Sequence, residues 1–170
     1  MSSDKTERFV FEHLTQPDLE KIAAVLAGAA RPRDVFALYG DLGAGKSVFA
    51  RAFVRALTSP DEDVPSPTFT LVQTYDGENK AGEPLTVWHF DLYRLKTADE
   101  IYEIGFEEAL SDGVSVIEWS ERAAKLLPRN RTEITIRPDG DATRTMIVVP
   151  MGGAQNKTEV LKSCRNALTA

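Results

Sequence analysis

The chain has 170 residues, with 42% hydrophobic and 27% charged side chains and a net charge of −6. Length and composition describe one ordinary globular domain and exclude wholesale disorder. The acidity, with an isoelectric point near 5.0, excludes a protein that grips nucleic acid through its phosphates unaided. A single cysteine, Cys164, excludes an intrachain disulfide and a multi-cysteine zinc site, and fits a reducing cytoplasm.

In chain order, residues 9–11 read as a short edge strand. Residues 18–29 read as a helix, because Leu19, Ile22, Ala23 and Leu26 follow helical spacing. The apolar run 22–30 is no signal-peptide core, since the acids Asp18 and Glu20 precede it, and no run approaches the ~18 apolar residues of a membrane span. Residues 35–39 (VFALY) are strand-like and Gly40 follows at once. Residues 47–57 have helical periodicity, with Val48, Phe49, Ala52, Phe53 and Ala56 on one broad face. Three prolines make 59–67 a long loop. Residues 69–75 and 85–90 are strand-like, and Asp76-Gly77 and Gly82 between them predict an antiparallel hairpin.

Residues 98–110 predict a helix with a break at Gly105, and 114–117 (VSVI) a buried strand. A short helix follows over 120–127, with Ser120 as its expected N-cap. Residues 133–137 and 144–149 flank the turn Pro138-Asp139-Gly140 and form a second hairpin. The composition shifts after Pro150, so a domain over 1–150 and a tail or linker over 151–170 are expected. Gly152-Gly153 is read as a flexible break and 157–168 as a terminal helix.

The chemistry is concentrated in Gly40-Asp41-Leu42-Gly43-Ala44-Gly45-Lys46-Ser47, which matches G-x-x-x-x-G-K-[ST] between a strand and a helix. An ordinary glycine-rich turn explains the glycines but not Lys followed by Ser. The glycines let backbone N–H groups approach phosphate oxygens, and the next helix adds its positive end at Ser47 and Val48. Lys46 supplies a charge for the β- and γ-phosphates, and the Ser47 hydroxyl suits Mg²⁺. Such a site needs a carboxylate at the end of a neighbouring strand. Asp91 and Glu118 both qualify. Glu118 ends the stronger buried-strand pattern and is read as the magnesium-side acid, leaving Asp91 to position or activate the attacking water. His89 stands between Trp88 and Phe90 and is read as packed or hydrogen-bonded rather than catalytic. Trp119 is read as wall packing or a ligand or partner contact.

Four linked segments narrow the reading: LYGDLGAGKS (38–47), SPTFTLV (66–72), HFDLYR (89–94) and VIEW (116–119). Together they resemble the bacterial TsaE (YjeE) family, over about residues 9–150. The resemblance implies a P-loop NTPase-like α/β fold, with a mixed central sheet and helices on both faces. It implies a small ATPase required for threonylcarbamoyl modification of tRNA adenosine, with ATP/ADP and Mg²⁺ as its ligands. The loop 40–47 would hold the phosphates, Glu118 would be the magnesium-side acid, and Asp91 the residue most needed for hydrolysis. Ser66, Pro67 and Thr68 would form a switch loop that senses the γ-phosphate, and Thr15 and Arg144 would lie near the adenine. The partners implied are TsaB and TsaD, with tRNA reached only indirectly and no membrane contact. Two rivals remain at this level: a small-molecule kinase on the same loop, and a nucleotide-gated binding module without useful hydrolysis. No arginine-rich lid supports the former, and Asp91 argues against the latter.

Overall fold

A computed structural model describes residues 6–169. Seven strands form one mixed sheet: β1 (Phe9–Leu14), β2 (Val35–Tyr39), β3 (Val72–Glu78), β4 (Pro84–Asp91), β5 (Val114–Glu118), β6 (Arg131–Pro138) and β7 (Arg144–Met151), in the spatial order β1-β7-β6-β2-β5-β4-β3. The short apolar β2 sits at the centre, parallel to β5 on one side and β6 on the other, and β4 runs parallel to β5. The β3–β4 and β6–β7 pairs are antiparallel hairpins, and β1 closes the far edge against β7.

Alternation along β2 distributes the core. Phe36 and Leu38 face the helices α1 (Gln16–Gly28), α2 (Lys46–Leu57) and α4 (Thr158–Thr169). Val35 and Ala37 face the opposite layer, where α3 (Phe106–Asp112) and the 3-10 segments Ala98–Ile104 and Ser120–Leu126 contribute Phe106, Ile101 and Ala123. Helices therefore cover both faces of the sheet, as a largely parallel centre requires. Phe36, Phe49 and Phe53 pack ring on ring between β2 and α2, so the strand and helix that bracket the P-loop are held together by fully buried aromatics.

Several local expectations are corrected. The buried stripe of α2 is Phe49, Ala50, Phe53, Val54 and Leu57, with Ala56 exposed, because the helix packs against both α1 and the sheet. The strand expected from residue 69 begins at Val72; residues 68–70 turn, and Leu71 has φ 69°. Ser120 is not an N-cap. Its hydroxyl donates to the Ile117 carbonyl at 2.9 Å, and Trp119, at φ 58°, precedes the 3-10 segment. The break at Gly105 is present, with φ 92° where the 3-10 segment gives way to α3.

The largest correction concerns the C-terminus. Gly152 and Gly153 do not form a loose break: the Gly153 N–H donates to Asn130 Oδ1 at 2.7 Å, and a Cβ on Gly152 would stand 2.2 Å from that same oxygen. Lys157 is fully buried, with its ammonium 2.8 Å from Asp34 Oδ2. Leu161 and Cys164 of α4 belong to the main core cluster. Burial pushes the Cys164 thiol pKa up, which leaves it a packing group.

Candidate functional site

The turn from β2 into α2 depends on Gly40. It has φ 147°, and a Cβ there would meet the Ile136 carbonyl oxygen at 2.4 Å, so only glycine lets the loop leave the sheet over β6. Gly45 enters α2 at φ 119°, a left-handed conformation. The loop therefore ends directly on the first turn of a helix, which presents unpaired N–H groups and the positive end of the helix dipole.

Register brings the acids under this loop. β4 and β5 pair His89 with Val116 and Asp91 with Glu118. Val87 and Val116 face α2 in the core, so period two places His89, Asp91 and Glu118 on that same face. Ser47, in the first turn of α2, donates its hydroxyl to Glu118 Oε1 at 2.8 Å. The other carboxylate oxygen, Oε2, lies 2.6 Å from His89 Nε2, and His89 and Glu118 are each 2% exposed. The structure thus brings Ser47 and Glu118 together. Among the described residues no three or more His, Cys, Asp or Glu side chains gather as a metal cage. What converges is a hydroxyl and a carboxylate, hard oxygen donors that suit Mg²⁺ shared with phosphate oxygens.

Lys46 is buried. Its ammonium donates to the Gly40 carbonyl, lies 3.4 Å from the Asp41 carbonyl oxygen, and sits 3.4 Å from the centroid of the Trp119 ring. Burial pushes its pKa down; Glu121, Glu118, Asp91 and Asp41 oppose that shift. Trp119 is therefore a contact of the P-loop lysine as well as a wall, and it packs on Tyr93 with ring centroids 4.9 Å apart.

Asp91 gathers the switch-loop candidates. Its Oδ2 accepts from the Ser66 and Thr68 hydroxyls at 3.3 and 3.4 Å, and these hydroxyls are 2.9 Å apart. Its Oδ1 accepts the Tyr93 N–H at 3.0 Å. Pro67 anchors the same turn, its carbonyl accepting the Leu71 N–H at 2.7 Å. Loop and acid line one cleft of about 320 Å³, together with Leu42, Lys46, Ser47, Glu118 and Trp119.

The adenine candidates part company. Arg144 lines a second cavity of about 420 Å³ beside Leu19, Gly43, Gly45 and Val48, and its Nε donates to the Ala44 carbonyl at 3.0 Å. The Thr15 hydroxyl instead caps α1, accepting the Asp18 N–H while Asp18 accepts the Thr15 N–H. Sequence reasoning passed over His89 as a member of this site. The signal present was its i, i+2 spacing from Asp91 on a strand, which puts both on one face.

The family model for the threonylcarbamoyl adenosine biosynthesis protein TsaE matches residues 14–146. The tRNA threonylcarbamoyladenosine biosynthesis protein TsaE of Rickettsia conorii is 42% identical over 122 residues, 72% of this chain and 67% of that protein. The TsaE protein of Bacillus subtilis is 36% identical over 146 residues, 85% of each chain. The crystal structure of Bacillus subtilis YdiB superposes with a TM-score of 0.72 at 26% identity, covering 97% of this chain and 99% of that one. The chain belongs to the TsaE family of threonylcarbamoyl adenosine biosynthesis proteins.

Proposed function

We propose that this chain is a magnesium-dependent ATPase of the cytoplasm that serves tRNA adenosine modification through a TsaB–TsaD-like protein complex. The observation that carries the reading is the Ser47–Glu118 contact beside a P-loop, with Asp91 facing the same cleft. The loop N–H groups and the α2 N-terminus take the phosphates. Lys46 exchanges its loop carbonyls for phosphate oxygens. Ser47 and Glu118 would hold Mg²⁺, which supplies neutralising charge on the phosphates. Asp91 orients a water and takes its proton as the water oxygen bonds to the γ-phosphorus and the bond to the ADP oxygen breaks.

Two features support partner dependence. Among the described residues no arginine lines the cleft that holds Asp91 and Glu118; the Arg94 guanidinium stacks on Phe69 at 4.4 Å, and Arg144 holds the Ala44 carbonyl. A hydrolase without an arginine at its transferring phosphate is slow, and supplying one is worth about 10³–10⁵ in rate. Leu42 and Phe69, 82% and 81% exposed, stand at the P-loop and on the switch segment, where a protein partner would cover them. The acidic surface suits a subunit that leaves tRNA to its partners.

The test is phosphate release by this chain alone, with tRNA, and with TsaB and TsaD added. Weak basal release stimulated by the two proteins, and not by tRNA alone, is expected. Fast release unchanged by the proteins would point to an independent ATPase or a kinase. Lys46→Ala is expected to weaken nucleotide binding by about 10- to 150-fold, the loss of a charge-assisted contact worth roughly 1.5–3 kcal/mol, with the fold retained. Calorimetric titration with Mg-ATP reads it, and an unchanged affinity would remove Lys46 from the phosphate site.

A further inference from the structure

We propose that His89 is a positioning residue that fixes the Glu118 carboxylate for magnesium. The inference rests on the proposed function and assigns to it a residue outside the nucleotide-contacting set. Glu118 is almost fully buried, and its two oxygens are each spoken for: Oε1 by the Ser47 hydroxyl at 2.8 Å, Oε2 by His89 Nε2 at 2.6 Å. A carboxylate only accepts, so the imidazole donates through Nε2–H. Its Nδ1 is buried without a hydrogen-bond partner in the structure. The contact joins two groups that are each 2% exposed, so neither can exchange its partner for solvent, and the bond holds ring and carboxylate in one mutual orientation. The side chain is oriented for Glu118.

Two consequences follow. The carboxylate cannot rotate about its last torsion without losing one of the two bonds, so Oε1 stays at the Ser47 hydroxyl where the metal would be shared. His89 and Asp91 also sit two residues apart on β4, facing the same way, so one strand holds the magnesium-side acid through His89 and carries the acid contacted by the switch loop. A hydrogen bond from a histidine to a metal-side carboxylate belongs to the outer shell of a metal site, where removal costs about 10- to 100-fold in metal affinity.

The experiment is calorimetric titration of ADP at a series of Mg²⁺ concentrations and in EDTA, on the full chain and two variants. His89→Gln keeps an N–H near the Nε2 position; His89→Asn shortens the side chain so that its amide falls short of Glu118. The Asn variant is expected to need about 10- to 100-fold more Mg²⁺ for tight ADP binding, with affinity in EDTA unchanged. The Gln variant is expected to stay within about threefold of wild type. Loss of packing alone would move affinity in EDTA as well, or affect both variants alike. Equal magnesium requirements in wild type, Gln and Asn would overturn the role of His89 while leaving the magnesium site standing. ADP binding by wild type that ignores Mg²⁺ altogether would overturn both.

Discussion

Replacing Asp91 with Asn is expected to lower the partner-stimulated rate of phosphate release by about 10²–10⁴-fold while nucleotide affinity stays within a few-fold of wild type. The amide matches the carboxylate in shape, so the pocket at this buried position is not emptied. It can still accept through its oxygen from a Ser66 or Thr68 hydroxyl or the Tyr93 N–H, which preserves the local turn. What it loses is the capacity to take a proton from water. A group that acts on the attacking water contributes to the transition state and little to the ground state, so the effect falls on turnover rather than on binding. Phosphate release with TsaB and TsaD present, paired with calorimetric ATP binding, separates the two quantities. An Asn variant that binds weakly and turns over normally would move Asp91 into the binding set and leave the water without its base.

Deleting residues 152–170 is expected to lower the melting temperature by roughly 10 °C or more. Leu161 and Cys164 are buried in the main core, and removing them also uncovers apolar partners on α1, which packs against α4. Fully buried aliphatic side chains are worth about 1.5–3 kcal/mol each, and a domain of this size shifts by about 2–4 °C per kcal/mol. The Lys157–Asp34 pair is lost as well, which leaves Asp34 without its cation. The affinity of the remaining folded fraction for nucleotide is expected to hold, because Asp34 and Asn130 lie before the first residues of β2 and β6 whereas the P-loop leaves the last residue of β2. Differential scanning calorimetry of both forms reads the effect. An unchanged melting temperature would return the segment to the status of a loose tail.

The strand, phosphate loop and helix over residues 35–57 were legible in the sequence because each depends on neighbours in the chain. The apolar run of β2, the glycines at 40, 43 and 45, and the Lys46-Ser47 pair act within a dozen residues, and local sterics and hydrogen bonding leave them little choice. The second hairpin was legible for the same reason, since Pro138-Asp139-Gly140 marks its turn. In the first, Asp76-Gly77 lies inside β3, paired with Thr86 and Leu85, and the turn is made instead by residues 79–83, where Asn79 Oδ1 accepts the Ala81 and Glu83 N–H groups and Gly82 takes φ 80°. The acids at 91 and 118 could be named as strand ends. Their pairing side by side, and the capture of Glu118 by His89 and Ser47, depended on the register of β4 against β5 and on where α2 lands. Only the tertiary structure also turned residues 68–71 out of the sheet, brought Trp119 over Lys46, and seated the C-terminal helix on the core. In α4 the apolar positions are few and the glycines before it suggest freedom, so local propensity points to a dispensable end. The buried Lys157 and the bond from Gly153 to Asn130 exist because distant strands present Asp34 and Asn130 to them. Contacts of that kind depend on chain segments more than a hundred residues apart in one case and more than twenty in the other, and no periodicity within the segment encodes them.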